Sequence, residues 1–199
     1  GVPTINSIYA VFDPQTGRPR AILDGEAMIF RKTAATSALA ADYLASPEAK
    51  RMVMVGAGAL APFLIQAMRT VRPGLEEVRI WNRSPKKAQR LAQDMDSPQC
   101  KMAAVQDREG ALKWADIVVA ATMSETPIIA GSVVRDSAHV NLIGAFTAAM
   151  REGDDALLTR ADLYIDHRAR AAQNGEFKTA LESGLISQDD LLGDLFDIV

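Results

Sequence analysis

The stretch that could carry chemistry is Gly56-Ala57-Gly58-Ala59-Leu60-Ala61, which follows the apolar run Met52-Val53-Met54-Val55 and leads into a helix-competent segment through Ala67, Met68 and Arg69. A glycine turn between a strand and a helix suits the pyrophosphate of a dinucleotide. Gly56 permits the tight turn, Gly58 lets backbone approach the phosphates, and the small Ala61 lets helix and strand pack closely. The phosphates, flanked by Ala59 and Leu60, then rest on the helix N-terminus, where unpaired N–H groups and the helix dipole favour negative charge. A tight turn in another α/β protein can have the same glycines. The strand–turn–helix setting favours the nucleotide reading.

Two further groups belong to such a site. At the end of the second strand, a carboxylate would hydrogen-bond the adenosine 2′-hydroxyl of NAD. This chain has Trp81-Asn82-Arg83-Ser84 there. Asn82 is neutral, while Arg83 and the Ser84 hydroxyl could hold a 2′-phosphate by charge-assisted hydrogen bonds, so NADP(H) is preferred over NAD(H). Arg83 as a solvated surface residue is the plain alternative, and for Lys86 and Lys87 a solvated helix face is the better reading. The second group is Ala121-Thr122-Met123-Ser124, at the carboxyl end of a wholly apolar strand, where doubly wound sheets bind ligands. Thr122 and Ser124 either position the nicotinamide ribose and ring or cap the following turn.

These residues need elements to position them, and the pattern supplies them. From Met52 onward, strand and helix alternate: strands at Met52–Val55, Val78–Trp81, Lys101–Val105, Ile117–Ala121, His139–Ile143 and Leu163–Ile165, with helices between them, notably Pro85–Met95. The expected fold is α/β, a doubly wound parallel Rossmann sheet with right-handed crossovers. Before it, Ile8–Phe12 and Arg20–Leu23 flank Asp13-Pro14-Gln15-Thr16-Gly17, which has hairpin turn chemistry. A hairpin alone is marginal in water, so it should belong to a larger, here incomplete, sheet. Thr33–Leu44 is an alanine-rich helix that would connect the two parts. The division expected is a hairpin over 1–31, a connecting helix over 32–50, the Rossmann domain over 51–170, and a helical tail over 171–199 with Gly175 and Gly184 as interruptions and Ser187-Gln188-Asp189-Asp190 as a helix start.

The bulk numbers agree with a globular enzyme domain. The chain has 199 residues, 48% of them hydrophobic and 24% charged, and a net charge of −3. No basic block suggests nucleic acid, and no apolar run approaches the roughly 20 residues that span a bilayer. The single Cys100 precludes an internal disulfide and suits a reducing cytoplasm, either as a small buried residue or at the surface. We expect a soluble, cytoplasmic, metal-free chain. His139, inside an apolar run, reads as a strand residue.

Three blocks in order, Lys32-Thr33-Ala34-Ala35-Thr36-Ser37-Ala38-Leu39-Ala40 after Asp24-Gly25, Val55-Gly56-Ala57-Gly58-Ala59-Leu60-Ala61-Pro62, and Ala121-Thr122-Met123-Ser124-Glu125-Thr126-Pro127, resemble the ornithine cyclodeaminase/mu-crystallin family over essentially the whole chain. The resemblance implies a Rossmann domain, a substrate domain that also forms a homodimer, and this chain as a central piece of that arrangement. It implies a small imino- or amino-acid substrate, a hydride moved between nicotinamide and a carbon bearing nitrogen and carboxylate, and Gly144 beside the cofactor. Many members have an Arg before Thr-Ala-Ala that binds the substrate carboxylate. Here that position is Lys32, which keeps the charge without the bidentate fork, or stands as a helix-start cation facing solvent. The cyclodeaminases carry an aspartate after the glycine pair that ends the fifth strand. Here Gly144-Ala145 is followed by Phe146, which cannot accept a proton, so ketimine reduction is favoured over cyclodeamination. Ornithine cyclodeaminase or alanine dehydrogenase chemistry, and a non-catalytic NADP(H)-binding protein of mu-crystallin type, are the alternatives. Asp166-His167 would touch the nicotinamide side or act as a cap. Glu176 sits in a family-like Gly-Glu pair without an assigned chemistry.

Overall fold

The computed structural model describes residues 6–171 and 173–199. Its first element is the hairpin that the Asp13 turn dictates, β1 (Ile8–Phe12) against β2 (Pro19–Asp24), antiparallel. The Asp13 carboxylate accepts the N–H groups of Gln15 and Thr16 and pairs with Arg20, fixing the turn. These two strands form a sheet of their own, and Ile8, Tyr9, Phe12, Ile22 and Leu23 are exposed on it.

Helix α1 (Gly25–Leu44) begins eight residues before the predicted Thr33. Asp24-Gly25 reads as a turn in sequence, but the Asp24 carboxylate is an N-cap, accepting the Ala27 N–H at 3.1 Å. Lys32 therefore lies inside the helix and not at its start. Ala34, Ser37, Ala38 and Ala41 form its buried face, and the small side chains let α1 lie close against α2 (Ala61–Val71). Buried Arg72, just after α2, fastens this packing. Its guanidinium donates to the carbonyls of Ala41 and Asp42 in the last turn of α1 and of Ala45 and Ser46 just beyond it, and pairs with Asp42 at 2.9 Å.

The core sheet is built from β3 (Arg51–Val55), β4 (Glu77–Trp81), β5 (Lys101–Ala104), β6 (Ile117–Ala120) and β7 (His139–Leu142), all parallel, in the order β5-β4-β3-β6-β7. Strand alternation divides the core in two. Met52, Met54, Ile117 and Val119 point to the layer covered by α1, α2 and α3 (Pro85–Met95). Val53, Val55, Val118 and Ala120 point to the layer of α4 (Arg108–Trp114) and α5 (Asp155–Arg160). Burial on both faces explains why β3 and β6 read as unbroken apolar runs. At the amino ends of these strands, Asp116 accepts the backbone N–H groups of Lys50 and Arg51 and forms ion pairs with Arg51 (2.8 Å) and Arg135 (2.6 Å).

Two expectations are corrected. The predicted sixth strand, β8 (Leu163–Ile165), does not join the core sheet but pairs in parallel with β9 (Leu191–Asp194). The tail is accordingly not wholly helical. After α6 (Arg168–Ala171) come α7 (Gly175–Glu182), a 3-10 turn over Gln188–Asp190, β9, and α8 (Leu195–Ile198). Strand β9 is four residues long and includes Gly193, too short and too weakly patterned to stand out in sequence. Gly175 does not interrupt a helix but begins one. Ser187 and Asp190 do form the predicted capping arrangement, around the 3-10 turn. Among the described residues, no helix is long and apolar enough to cross a membrane, and no cluster of His, Cys, Asp and Glu could hold a metal ion. Cys100 is buried.

Candidate functional site

Parallel pairing brings the carboxyl ends of four strands level, with Val55 beside Trp81 and Ala120, and Ala120 beside Leu142. The turns that leave these ends form one cleft edge, at the point where the chain reverses direction across the sheet, on either side of β3 and β6. Open α/β sheets bind ligands at such a switch point.

Gly56 leaves β3 with φ +113°, a backbone conformation that side-chain-bearing residues rarely adopt, and a Cβ there would lie 2.5 Å from the Ala121 carbonyl oxygen. The turn therefore needs glycine for conformation and for close approach. Its N–H donates to the Trp81 carbonyl at 2.9 Å. The neighbouring Ala57 N–H donates to the Asn82 carboxamide oxygen (3.2 Å), and the Asn82 amide nitrogen donates to the Ser84 carbonyl (3.0 Å). Asn82 thus splints the glycine loop to the next turn, so its side chain is already engaged within the protein.

Gly58 has no atom within 4 Å of where a Cβ would stand. The space beside the loop is open, as backbone approach of a phosphate requires. Ala59 and Leu60 continue the turn, and α2 begins at Ala61 with Leu60 as its N-cap residue, no capping side chain, and Pro62 in the first turn. The residues present fit a dinucleotide pyrophosphate: a loop with open space beside it and a helix start that no protein carboxylate or hydroxyl caps. Arg83 and Ser84 lie at the end of β4, both exposed. Among the described residues Arg83 makes no ion pair, and the Ser84 hydroxyl does not cap α3.

The other half of the cleft is held differently. Glu152, fully buried, accepts hydrogen bonds from the Thr122 N–H (2.6 Å), the Thr122 hydroxyl (2.7 Å), the Gly144 N–H (2.7 Å) and the Ile143 N–H (3.0 Å), the last shared with the Ala120 carbonyl. A Cβ on Gly144 would overlap the Thr122 backbone and lie 2.6 Å from Glu152 Oε1, so these three segments meet only because Gly144 has no side chain. Burial pushes the Glu152 carboxyl above the usual carboxylate range, against the pull of its four donors. Desolvating a carboxylate costs several kcal/mol. Hydrogen bonds to a charged acceptor contribute about 1.5–3 kcal/mol each and offset part of that cost. Glu176, also buried, accepts the Glu152 and Gly153 N–H groups, and burial raises its carboxyl likewise.

The predicted residues fall into place unevenly. The Thr122 hydroxyl donates to Glu152 and accepts the Ser124 N–H (3.3 Å), while the Ser124 hydroxyl donates to the Thr126 carbonyl (2.6 Å). Both hydroxyls are therefore engaged within the protein, Thr122 with Glu152 and Ser124 within the turn. Met123 and Phe146 are exposed at the ends of β6 and β7. Lys32 is exposed on α1, roughly 160° around the helix from buried Ala34. It shares that outer face with Met28, Leu39 and Tyr43, all exposed. Arg31 instead reaches α2, its guanidinium 5.5 Å from the Phe63 ring. The ring of His167 packs on Phe196 and its Nδ1 accepts the Ala169 N–H, the capping alternative. Glu152, the most connected side chain of the cleft, has no signal in the sequence, because its partners lie eight to thirty residues away.

Comparison with known proteins agrees with this geometry. The chain is 44% identical over 200 residues to the Δ1-pyrroline-2-carboxylate reductase of Paracoccus denitrificans, matching all of this chain and 63% of that protein. It is 32% identical to the ketimine reductase mu-crystallin of Rattus norvegicus, over 100% of this chain and 60% of that one. The chain thus spans about three-fifths of the length of these relatives. Among solved structures, Thermococcus litoralis Δ1-pyrroline-2-carboxylate reductase, in complex with NADH and L-proline, superposes with a TM-score of 0.94 at 26% identity, covering 99% of this chain and 61% of that one. An archaeal alanine dehydrogenase dimer with bound NAD gives 0.93 at 27% identity, covering 100% and 61%. The model of the ornithine cyclodeaminase/mu-crystallin family matches residues 1–199, and the chain belongs to that family.

Proposed function

We propose that this chain is the cofactor-binding part of an oxidoreductase that reduces a small cyclic ketimine carboxylate, such as Δ1-pyrroline-2-carboxylate, to the cyclic amino acid, with NADP(H) preferred over NAD(H). The observation that carries the reading is a glycine loop that fits a dinucleotide, together with an exposed Phe146 in the position after Gly144-Ala145 where the cyclodeaminases carry an aspartate. Similarity to pyrroline-2-carboxylate and ketimine reductases supports the substrate class.

In this reading, Gly56 makes the turn that brings the loop to the pyrophosphate, Gly58 and the start of α2 hold it through backbone N–H groups, and Arg83 with Ser84 binds the 2′-phosphate. Ala121, Thr122, Met123, Ser124 and Gly144 form the wall beside the nicotinamide, which when bound supplies the hydride that reduces the C=N carbon. Phe146 excludes water and leaves no carboxylate to handle an amine proton, which suits an iminium that is already electrophilic. Lys32 supplies the cation for the substrate carboxylate, from the outer face of α1. The archaeal alanine dehydrogenase is a dimer, which supports a homodimer here, and the exposed apolar residues of α1 and the hairpin offer a surface for it.

The test supplies the full-length protein, of which this chain is the cofactor-binding part, with NADPH and Δ1-pyrroline-2-carboxylate and follows loss of reduced-nicotinamide absorbance. Turnover is expected, with L-proline as product; the 199 residues alone are expected to show little or no turnover. No oxidation at any pH from mildly acidic to neutral overturns the reading. Conversion of ornithine to proline and ammonia without added reductant would make the chain a cyclodeaminase instead. Tight NADPH binding without turnover across an imine and amino-acid panel would make it a binding protein.

A further inference from the structure

Thr122 and Gly144 lie on turns that leave two different strands, and the sheet's own hydrogen bonding between those strands ends with the Ile143 N–H donated to the Ala120 carbonyl. Glu152 does so. Its Oε1 takes two donors from Thr122, at the end of β6, and its Oε2 takes the N–H groups of Ile143 and Gly144, at the end of β7. The three backbone N–H groups can only donate, so Glu152 must present accepting oxygens to all of them. Glu152 is itself held by the next layer. Glu176 accepts the Glu152 and Gly153 N–H groups from the first turn of α7. Gly175 beside it has no side chain because the Met150 carbonyl occupies that space. The Ile128 and Ile129 N–H groups donate to the Glu152 carbonyl, so its main chain is fixed from both sides.

We propose that Glu152, held in place by Glu176, is the positioning residue of the nicotinamide half of the cleft, setting the separation of the Thr122 and Gly144 turns. This rests on the dinucleotide reading above. The adenosine half does not depend on Glu152: Gly56, Ala57 and Asn82 are joined to one another and to β4 without it. Loss of the Glu152 carboxylate therefore weakens ligands in proportion to whether they carry the nicotinamide ring. In Glu152→Gln, one oxygen becomes an NH2 group facing groups that only donate, and the two turns separate.

The test measures dissociation constants for the full chain with NADPH and NADH, and with 2′-phospho-ADP-ribose and ADP-ribose, which lack the ring. In Glu152→Gln, the affinity for the complete dinucleotides falls at least tenfold and that for the ring-less ligands less than threefold. Glu176→Gln shows the same pattern with a smaller loss. Thr122→Val keeps the methyl group that packs near Gly56 and removes only the hydroxyl, so it carries the test if Glu152→Gln does not fold. It weakens dinucleotides selectively, and Thr122→Ser recovers affinity. Equal loss for both ligand classes, or unchanged dinucleotide affinity, overturns the proposal while leaving the dinucleotide reading intact. Wild-type protein that binds no nicotinamide dinucleotide overturns both.

Discussion

The two ends of the same sheet are each closed by a carboxylate, and the two carboxylates are treated in opposite ways. At the amino ends, Asp116 is matched with two cations, Arg51 and Arg135, as well as the N–H groups of Lys50 and Arg51. Burial pushes its carboxyl up, but the guanidinium and the N–H donors outweigh that and hold it below the usual range. At the carboxyl ends, Glu152 is fully buried, meets neutral donors, and is raised. The amino end is finished as structure, with charge answering charge inside the chain. The carboxyl end leaves Arg83 without an ion pair among the described residues and keeps its turns glycine-lined, and so leaves interactions for a ligand to complete.

The comparison breaks most severely at Gly144. A Cβ there overlaps the Thr122 backbone and crowds Glu152, with no flexible side chain able to yield. Gly144→Ala is expected to cost about 3 kcal/mol or more in denaturant unfolding. A loss under about 1 kcal/mol would mean that the carboxyl-end turns are looser than described.

A pH effect of similar ceiling comes from the amino end, where His139 begins β7. Burial, with help from the Arg72 charge and against the Asn141 hydrogen bond, pushes the imidazole down to about 4, and its Nε2 is buried with no partner among the described residues. The unfolded chain binds this proton first as pH falls below the usual histidine value of 6.5. Stability is therefore complete above that value and is lost between pH 6.5 and 4, by at most about 3 kcal/mol. The raised Glu152 and Glu176 act in the opposite sense, losing stability as pH rises, so the measurement is the difference between wild type and His139→Gln. That difference should shrink the penalty across this window. Parallel curves would show that His139 is hydrated in the folded protein.

Asp116→Asn is the third comparison. It removes one partner from two half-exposed arginines, and about 1–2 kcal/mol of stability should go with it. Dinucleotide affinity should not change. If affinity falls with stability, the two ends of the sheet are coupled and the division drawn between them fails.

What could be read from sequence follows the same division by distance along the chain. Gly56 and Gly58 announce themselves because a turn's steric demands fall on the residue that makes it. Pro85 marks the start of α3 for the same reason. The start of α1 is ambiguous in sequence because Asp24-Gly25 satisfies both turn and N-cap chemistry, and only the hydrogen bond to Ala27 decides between them. Strand β9 exists because β8 is there to pair with it, a condition that four residues cannot encode locally. Glu152 is the limiting case. Its role depends on meeting Thr122 and Gly144 in space, and Arg151-Glu152-Gly153 has no periodicity or spacing that says so. Glu176, visible as half of a Gly-Glu pair, takes its role from the docking of α7 against the same loop, which the pair itself does not encode.

Arg83 provides the smallest effect and the finest test of the comparison. Arg51 and Arg135 each have a carboxylate within 3 Å, whereas Arg83 is exposed and pairs with none among the described residues. If the carboxyl end reserves its cations for a ligand, Arg83→Ala should leave unfolding stability within about 0.5 kcal/mol of wild type, as a surface substitution does. Its effect should fall on the adenosine 2′-phosphate alone. The NADPH affinity drops about tenfold, the equivalent of about 1.4 kcal/mol, and NADH affinity stays within twofold. Fluorescence titration of the bound reduced nicotinamide measures both. Equal effects on the two cofactors would make Arg83 a general phosphate or surface cation. A loss of stability without a change in cofactor ratio would give it the same structural part that Arg51 plays at the other end of the sheet.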